Sequence, residues 1–361
     1  MADNRSLYRG CLLGLAVGDA MGCAVDEKTW DEIVSCYGPN GLLGYDLVND
    51  CTCITSYTQI AAYACNGLLL SQSWGKKGTF APYVATALRE WSTAQAFPRV
   101  PDKCRCWVAR LPYMRRKNCR DVRMLDALRA QTLGTLEKPI NGASHPGSLP
   151  EAVAVGLFYT PKLMTPDQVG TLGAELIALT HGDPETILTG AVLAYIIAGI
   201  LQEPEQELED QFVCAIQAMQ ADFSDRFPQA AQQVADKLSQ AIELSYKGGD
   251  PQRRIESLRC STAVECLAGA IFSSLTSRDD FDMAMITAVN HSGRSSAVGA
   301  LTGAILGAVL GEEALPEFYL ESLEPRAMLR ELADDLYAGP PAASLFDDNW
   351  DQKYNQGLLL S

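Results

Sequence analysis

Histidine is scarce in this chain: three in 361 residues, at His145, His181 and His291. So few imidazoles argue against a zinc-finger organisation, which draws on closely spaced Cys and His ligands. Twelve cysteines are present but follow no regular spacing. Cys51 and Cys53 lie too close for a zinc knuckle, as do Cys104 and Cys106. They read as reduced thiols of a cytoplasmic protein rather than as a disulfide framework. Basic charge is also short. Lys and Arg number 29 against 44 Asp and Glu, a formal charge of −15, which argues against nucleic acid and anionic membranes as partners. The longest apolar run, Ile187 to Leu201, falls short of the roughly 18 residues of a membrane span and reads as a buried core helix. The opening residues resemble a secretory leader, but Asp19 interrupts the apolar run and no cleavage site follows. No stretch alternates like a strand. No Gly-x-Ser-x-Gly elbow or distinctive Cys/His pair marks a nucleophile.

What is present is helical. Glycine recurs every fourth residue at Gly10, Gly14, Gly18 and Gly22, and again at Gly299, Gly303, Gly307 and Gly311. At 3.6 residues per turn, each set makes a stripe without side chains down one helix face. Glycine costs about 1 kcal/mol per helical position relative to alanine. The compensation expected is the close approach of another helix backbone. Apolar periodicity predicts helices near 5–21, 57–72, 79–93, 121–132, 166–180, 185–202, 206–221, 227–245, 261–275, 279–288 and 295–310. Thr165-Pro166-Asp167 and Asp183-Pro184-Glu185 are start signals, with proline in the first turn. The expected fold is all-α: a single-domain orthogonal helical bundle over residues 1–338, with a tail at 339–361 anchored by Phe346, Trp350 and Tyr354. Proline and glycine cluster at 98–101 and 138–150, predicting loops over a working face. Arg115, Arg116, Lys117, Arg120 and Arg123 read as a solvated basic loop.

Four segments in order resemble the ADP-ribosylglycohydrolase family, which includes the dinitrogenase-reductase-activating glycohydrolases. GCLLGLAVGDAMG at 10–22 resembles its opening helix, and ITSYTQIAAYACNGLLL at 54–70 its second motif. THGDP at 180–184 resembles its central turn, and NHSGRSSAVGALTGAILGAVLG at 290–311 its closing helix. The resemblance spans about residues 6–338. It implies an enzyme that removes ADP-ribose from proteins with two magnesium ions, held by paired aspartates in two motifs. Magnesium demands such hard oxygen ligands. Here those motifs read Thr55-Ser56-Tyr57-Thr58 and Arg294-Ser295-Ser296-Ala297. By the resemblance, all four ligand aspartates are replaced, by Ser56, Tyr57, Arg294 and Ser296. Losing four carboxylates and gaining one guanidinium moves the local charge from −4 to +1. The expectation is therefore no metal cofactor.

Asp26 matches the family's acidic residue after the first helix and remains a candidate general base, with Glu27 beside it. The loop 141–150, with Ser144 and His145, stands where the family contacts a diphosphate; His181 and Asp183 fall in the central turn. Together with Thr55, Ser56, Tyr57, Arg294, Ser295 and Ser296, these are the candidate ligand-binding residues. The three histidines could bind a transition metal if they converged, though backbone capping is the commoner use. Three functions compete. The first is an inactive family member binding ADP-ribose, another nucleotide or an ADP-ribosylated protein. The second is a hydrolase with a relocated set of Asp26, Asp183 and Asp19 around one cation. The third is a purely structural protein. A buried guanidinium needs a partner, and Arg294 is expected to pair with Asp19, Asp26 or Asp183.

Overall fold

The computed structural model describes residues 4–47, 52–74, 79–97, 99, 104–341 and 347–355, and every regular element among them is helical. In chain order these are α1 (Arg5–Cys23), α2 (Trp30–Tyr37), α3 (Ser56–Trp74), α4 (Ala81–Ala96) and α5 (Val122–Arg129). There follow α6 (Leu149–Phe158), α7 (Pro166–Ala178), α8 (Pro184–Gln202), α9 (Leu208–Phe223), α10 (Pro228–Ser245) and α11 (Pro251–Glu256). The last are α12 (Ala263–Thr276), α13 (Phe281–Val289), α14 (Ser295–Leu310), α15 (Glu317–Glu321), α16 (Arg326–Ala338) and the single turn α17 (Asp348–Trp350).

The glycine stripes meet each other. A Cβ built at Gly10, Gly14 or Gly18 would overlap the backbone oxygen of Gly307, Gly303 or Gly299, far inside the 3.0 Å that real Cβ atoms keep. Helices α1 and α14, from opposite ends of the chain, thus lie backbone to backbone as the central pair. Around them sit α12, α13 and α16, with α3, α6, α7 and α8 forming the adjoining layer. Helix α8 carries the long apolar run. By length and composition it is the one described helix able to cross a membrane, and 78% of its apolar window is buried inside the protein.

Start signals act as read. Thr165 caps α7 with Gln168 at the third position, and Asp183 accepts the Thr186 N–H at the start of α8. Helices α2, α6, α11, α15 and α16 are not among those the periodicity predicts. All ten residues of α6 are buried, so it shows no amphipathic period to read. It also begins inside the stretch expected as a long loop. Helix α5 stops at Arg129 rather than 132, while α4 runs on to Ala96.

In the C-terminal segment, Trp350 donates to the Ser73 hydroxyl at 2.8 Å and Tyr354 to the Asp335 carboxylate at 2.6 Å. Phe346 and most of the 98–101 cluster lie outside the described residues. The basic run is not one solvated loop. Arg115 is buried with Nη1 on the Ala109 carbonyl, and Arg116 pairs with Glu324 at 2.6 Å. These two cations therefore already have neighbours inside the fold.

Glu151, in the first turn of α6, is fully buried and both its carboxylate oxygens lack a hydrogen-bond partner. Burial raises its pKa well above the ordinary value, so the folded state holds the proton. That contribution is fully present below about pH 4.5 and lost as pH rises toward the folded pKa. Glu151→Gln should therefore match the parent near pH 4.5 and exceed it in stability at pH 7, by up to about 1.4 kcal/mol per pH unit. Urea unfolding at the two pH values reads the difference; parallel profiles would show an ionised, partnered carboxylate.

Candidate functional site

Asp19, one turn from the end of α1, is wholly buried and organises the start of α3. It accepts the Thr55 N–H (2.8 Å) and hydroxyl (2.6 Å), and the Thr58 N–H (3.1 Å) and hydroxyl (2.5 Å). A carboxylate at a helix N-terminus satisfies free N–H groups and suits the helix dipole. Burial pushes its pKa up to about 6 against the pull of those four donors. The clamp holds Ser56 and Tyr57 at the rim of a cleft.

The opposite rim is the start of α14. Asp26 accepts the Ser296 N–H at 3.1 Å; burial raises its pKa, offset by that bond and by Arg120 and Arg294. Arg294 pairs with Glu27, held in place by a left-handed backbone turn (φ 64°) and by its N–H to the Gly293 carbonyl at 3.0 Å. Arg120 bridges Glu27 at 3.3 Å and Asp26 at 3.5 Å.

The floor is a third group. Asp121 caps α5 through Oδ1 and the Met124 N–H at 3.0 Å, and its Oδ2 faces His181 Nε2 at 2.9 Å and His145 Nδ1 at 3.4 Å. Burial alone would raise the Asp121 carboxyl, but its bonds to the two histidines hold it well below the usual carboxylate range. Behind, the Thr180 hydroxyl lies 2.8 Å from His181 Nδ1.

These walls enclose a cavity of about 320 Å³. Asp26, Thr55, Ser56, Tyr57, His145, Arg294 and Ser296 line it. Tyr57 is buried in the wall without filling the space. The lining also includes Lys117, Arg120, Asp121, Cys23, Cys53 and Cys119, none of which sequence patterning had singled out as a site residue. The Cys53 thiol is pushed down to about 6 by a hydrogen bond from Cys23, with Arg116 and Arg120 adding to the effect.

Several candidates fall elsewhere. Asp183 caps α8 and borders a separate surface depression with Pro228 and Gln229. Asp19 is sealed beneath Thr55 and Thr58, so the relocated set of Asp19, Asp26 and Asp183 does not assemble. Ser295 is buried on the inner face of α14 with its hydroxyl toward the His291 carbonyl, and Ser144 takes the Ala263 N–H on its own carbonyl. His181 lies behind Asp121 rather than on the surface of the cavity. The three histidines do not converge. His291 is buried with both ring nitrogens unpartnered, and burial lowers its pKa to about 4, leaving it neutral. Arg294 takes Glu27 as its partner rather than Asp19, Asp26 or Asp183, because the loop after α1 turns that neighbouring carboxylate toward it.

A family profile for ADP-ribosylglycohydrolase matches residues 1–344. The chain belongs to the ADP-ribosylglycohydrolase family. An uncharacterised protein of Archaeoglobus fulgidus is 25% identical over 340 residues, covering 91% of this chain and 95% of that protein. Among solved structures, a chain titled as an ADP-ribosylglycohydrolase-related protein complex superposes with a TM-score of 0.56. It is 21% identical, over 94% of this chain and 99% of its own, a likeness of fold. With family membership established, the four positions where the resemblance puts ligand aspartates, Ser56, Tyr57, Arg294 and Ser296, face one cavity.

Proposed function

We propose that this ADP-ribosylglycohydrolase-family protein binds ADP-ribose or a related nucleoside diphosphate in the cavity and does not hydrolyse it by the two-magnesium route. The observation that carries the reading is Arg294. It stands at a position where the family resemblance puts a ligand carboxylate, lines the cavity, and is held there by Glu27.

The donor set does not suit a pair of magnesium ions. Ser56, Tyr57 and Ser296 offer neutral oxygens, and the carboxylates of the α14 rim are already engaged, Asp26 by the Ser296 N–H and Arg120, and Glu27 by Arg294 and Arg120. Magnesium needs near-octahedral oxygen coordination. Like charges about 4 Å apart cost about 1 kcal/mol in water and about 4 kcal/mol near a protein surface. The same features favour an anion. Arg294, Arg120 and Lys117 line the space with the N-terminus of α14, where the helix dipole favours negative charge, and guanidinium groups bind phosphates in a fork geometry. The buried, unpartnered Ser296 hydroxyl is a further donor. The remaining volume disfavours a purely structural role. A cytoplasmic, reducing setting fits the free thiols among the described cysteines.

Calorimetric titration of ADP-ribose should show binding of equal strength with magnesium or with chelator. Arg294→Ala should weaken it about tenfold or more, a loss of about 1.4 kcal/mol. Binding that requires magnesium, or no binding at all, would overturn the reading.

A further inference from the structure

Asp121, His145 and His181 place three ligand atoms within 4.8 Å of one another, apart from the four replaced aspartate positions: Asp121 and His145 line the cavity and His181 stands directly behind Asp121. Two imidazoles and one carboxylate form the donor set of single-ion sites for zinc, cobalt or ferrous iron, and here the cavity beside Asp121 and His145 leaves further coordination positions to solvent or ligand. We propose that this triad is a binding site for one divalent transition-metal ion.

The spacing suits such an ion. Bonds of about 2.0–2.2 Å in a tetrahedron set ligand atoms roughly 3.3–3.6 Å apart. Asp121 Oδ2 lies 2.9 Å from His181 Nε2 and 3.4 Å from His145 Nδ1. The first pair needs to open by a few tenths of an ångström, as expected when an ion replaces a hydrogen bond.

The surrounding groups are arranged as supports. Asp121 Oδ1 is tied to the Met124 N–H, which leaves Oδ2 for the ion. The Thr180 hydroxyl oxygen, 2.8 Å from His181 Nδ1, can accept a hydrogen bond from Nδ1–H and so present the Nε2 lone pair to the ion. His145 gives up one contact, since its Nδ1 accepts the Gly147 N–H at 3.1 Å. That ring is half-buried at the cavity edge, with 24% of its side chain exposed, so it has room to turn. The inference does not depend on nucleotide binding, and its test uses metal alone.

The experiment is titration of the chelator-stripped protein with Co²⁺, followed by visible absorption, and with Zn²⁺ against a chromogenic chelator. One ion per chain is expected, with ligand-field bands lacking thiolate charge-transfer intensity. His145→Ala should abolish stoichiometric binding while circular dichroism stays unchanged; this residue is the least buried of the three. Thr180→Val should weaken binding about 10–100-fold, as loss of an orienting partner does, and His291→Gln should change nothing. No stoichiometric binding, binding unaffected by His145→Ala, or a strong thiolate charge-transfer band placing the ion on cysteines would each overturn the proposal.

Discussion

Gly14→Val is expected to yield no stably folded protein. The new Cβ alone would overlap the oxygen and carbonyl carbon of Gly303 on α14, both backbone atoms. Overpacking against movable side chains typically costs 1–3 kcal/mol. Here the obstruction is a helix backbone, fixed by further rungs at Gly10–Gly307 and Gly18–Gly299, so relief requires separating the central pair. A loss above about 4 kcal/mol is expected, a large share of the 5–15 kcal/mol that holds ordinary domains together. Gly14→Ala gains about 1 kcal/mol of helix propensity yet should still lower the melting temperature sharply, because the clash is with Cβ itself. Gly142→Ala has nothing within 4 Å and should shift stability by no more than about 0.5 kcal/mol. Thermal unfolding of the three variants reads the contrast; a Gly14→Ala protein as stable as the parent would show that the two helices can move apart freely.

The second large effect concerns charge. The parent protein should release no ADP-ribose from modified arginine or serine substrates in a magnesium-dependent way. The combined variant Ser56→Asp, Tyr57→Asp, Arg294→Asp and Ser296→Asp should bind magnesium by calorimetry where the parent does not. It reverses a change of five charge units at the mouth of one cavity, and at an effective dielectric of 20 each charge about 4 Å away is worth about 4 kcal/mol. The exchange also frees Glu27 from Arg294, leaving Arg120 as its cation, so some stability should be lost. Turnover by the parent that chelator abolishes and magnesium restores would refute the inactive reading.

The site was half legible. Thr55, Ser56, Tyr57, Arg294 and Ser296 stood in motifs whose neighbours held the register, and the structure brings them to one cavity. Asp121 carries no such flag. It sits as an ordinary helix cap, 24 residues before His145 and 60 before His181, and a search for histidines near histidines passes over the carboxylate that joins them. Asp183 misled for the opposite reason: it lies in a motif, but its side chain is used to cap α8. Helix α6 was lost because burial on every side erases the polar face that marks a helix.

The sequence by itself determined the all-α class, the family and the close approach of another helix to each glycine face; that α1 and α14 are each other's partner came from the structure. The first three follow from local pattern: 3.6-residue periodicity, motif order, and glycines whose only compensation is close backbone contact. Only the tertiary structure decided which side chains share the cavity and which partner Arg294 takes. Both depend on where loops and helix ends point after packing. The turn at Glu27 meets residues 293 and 294, and the second carboxylate oxygen of Asp121 meets residue 181, all far along the chain.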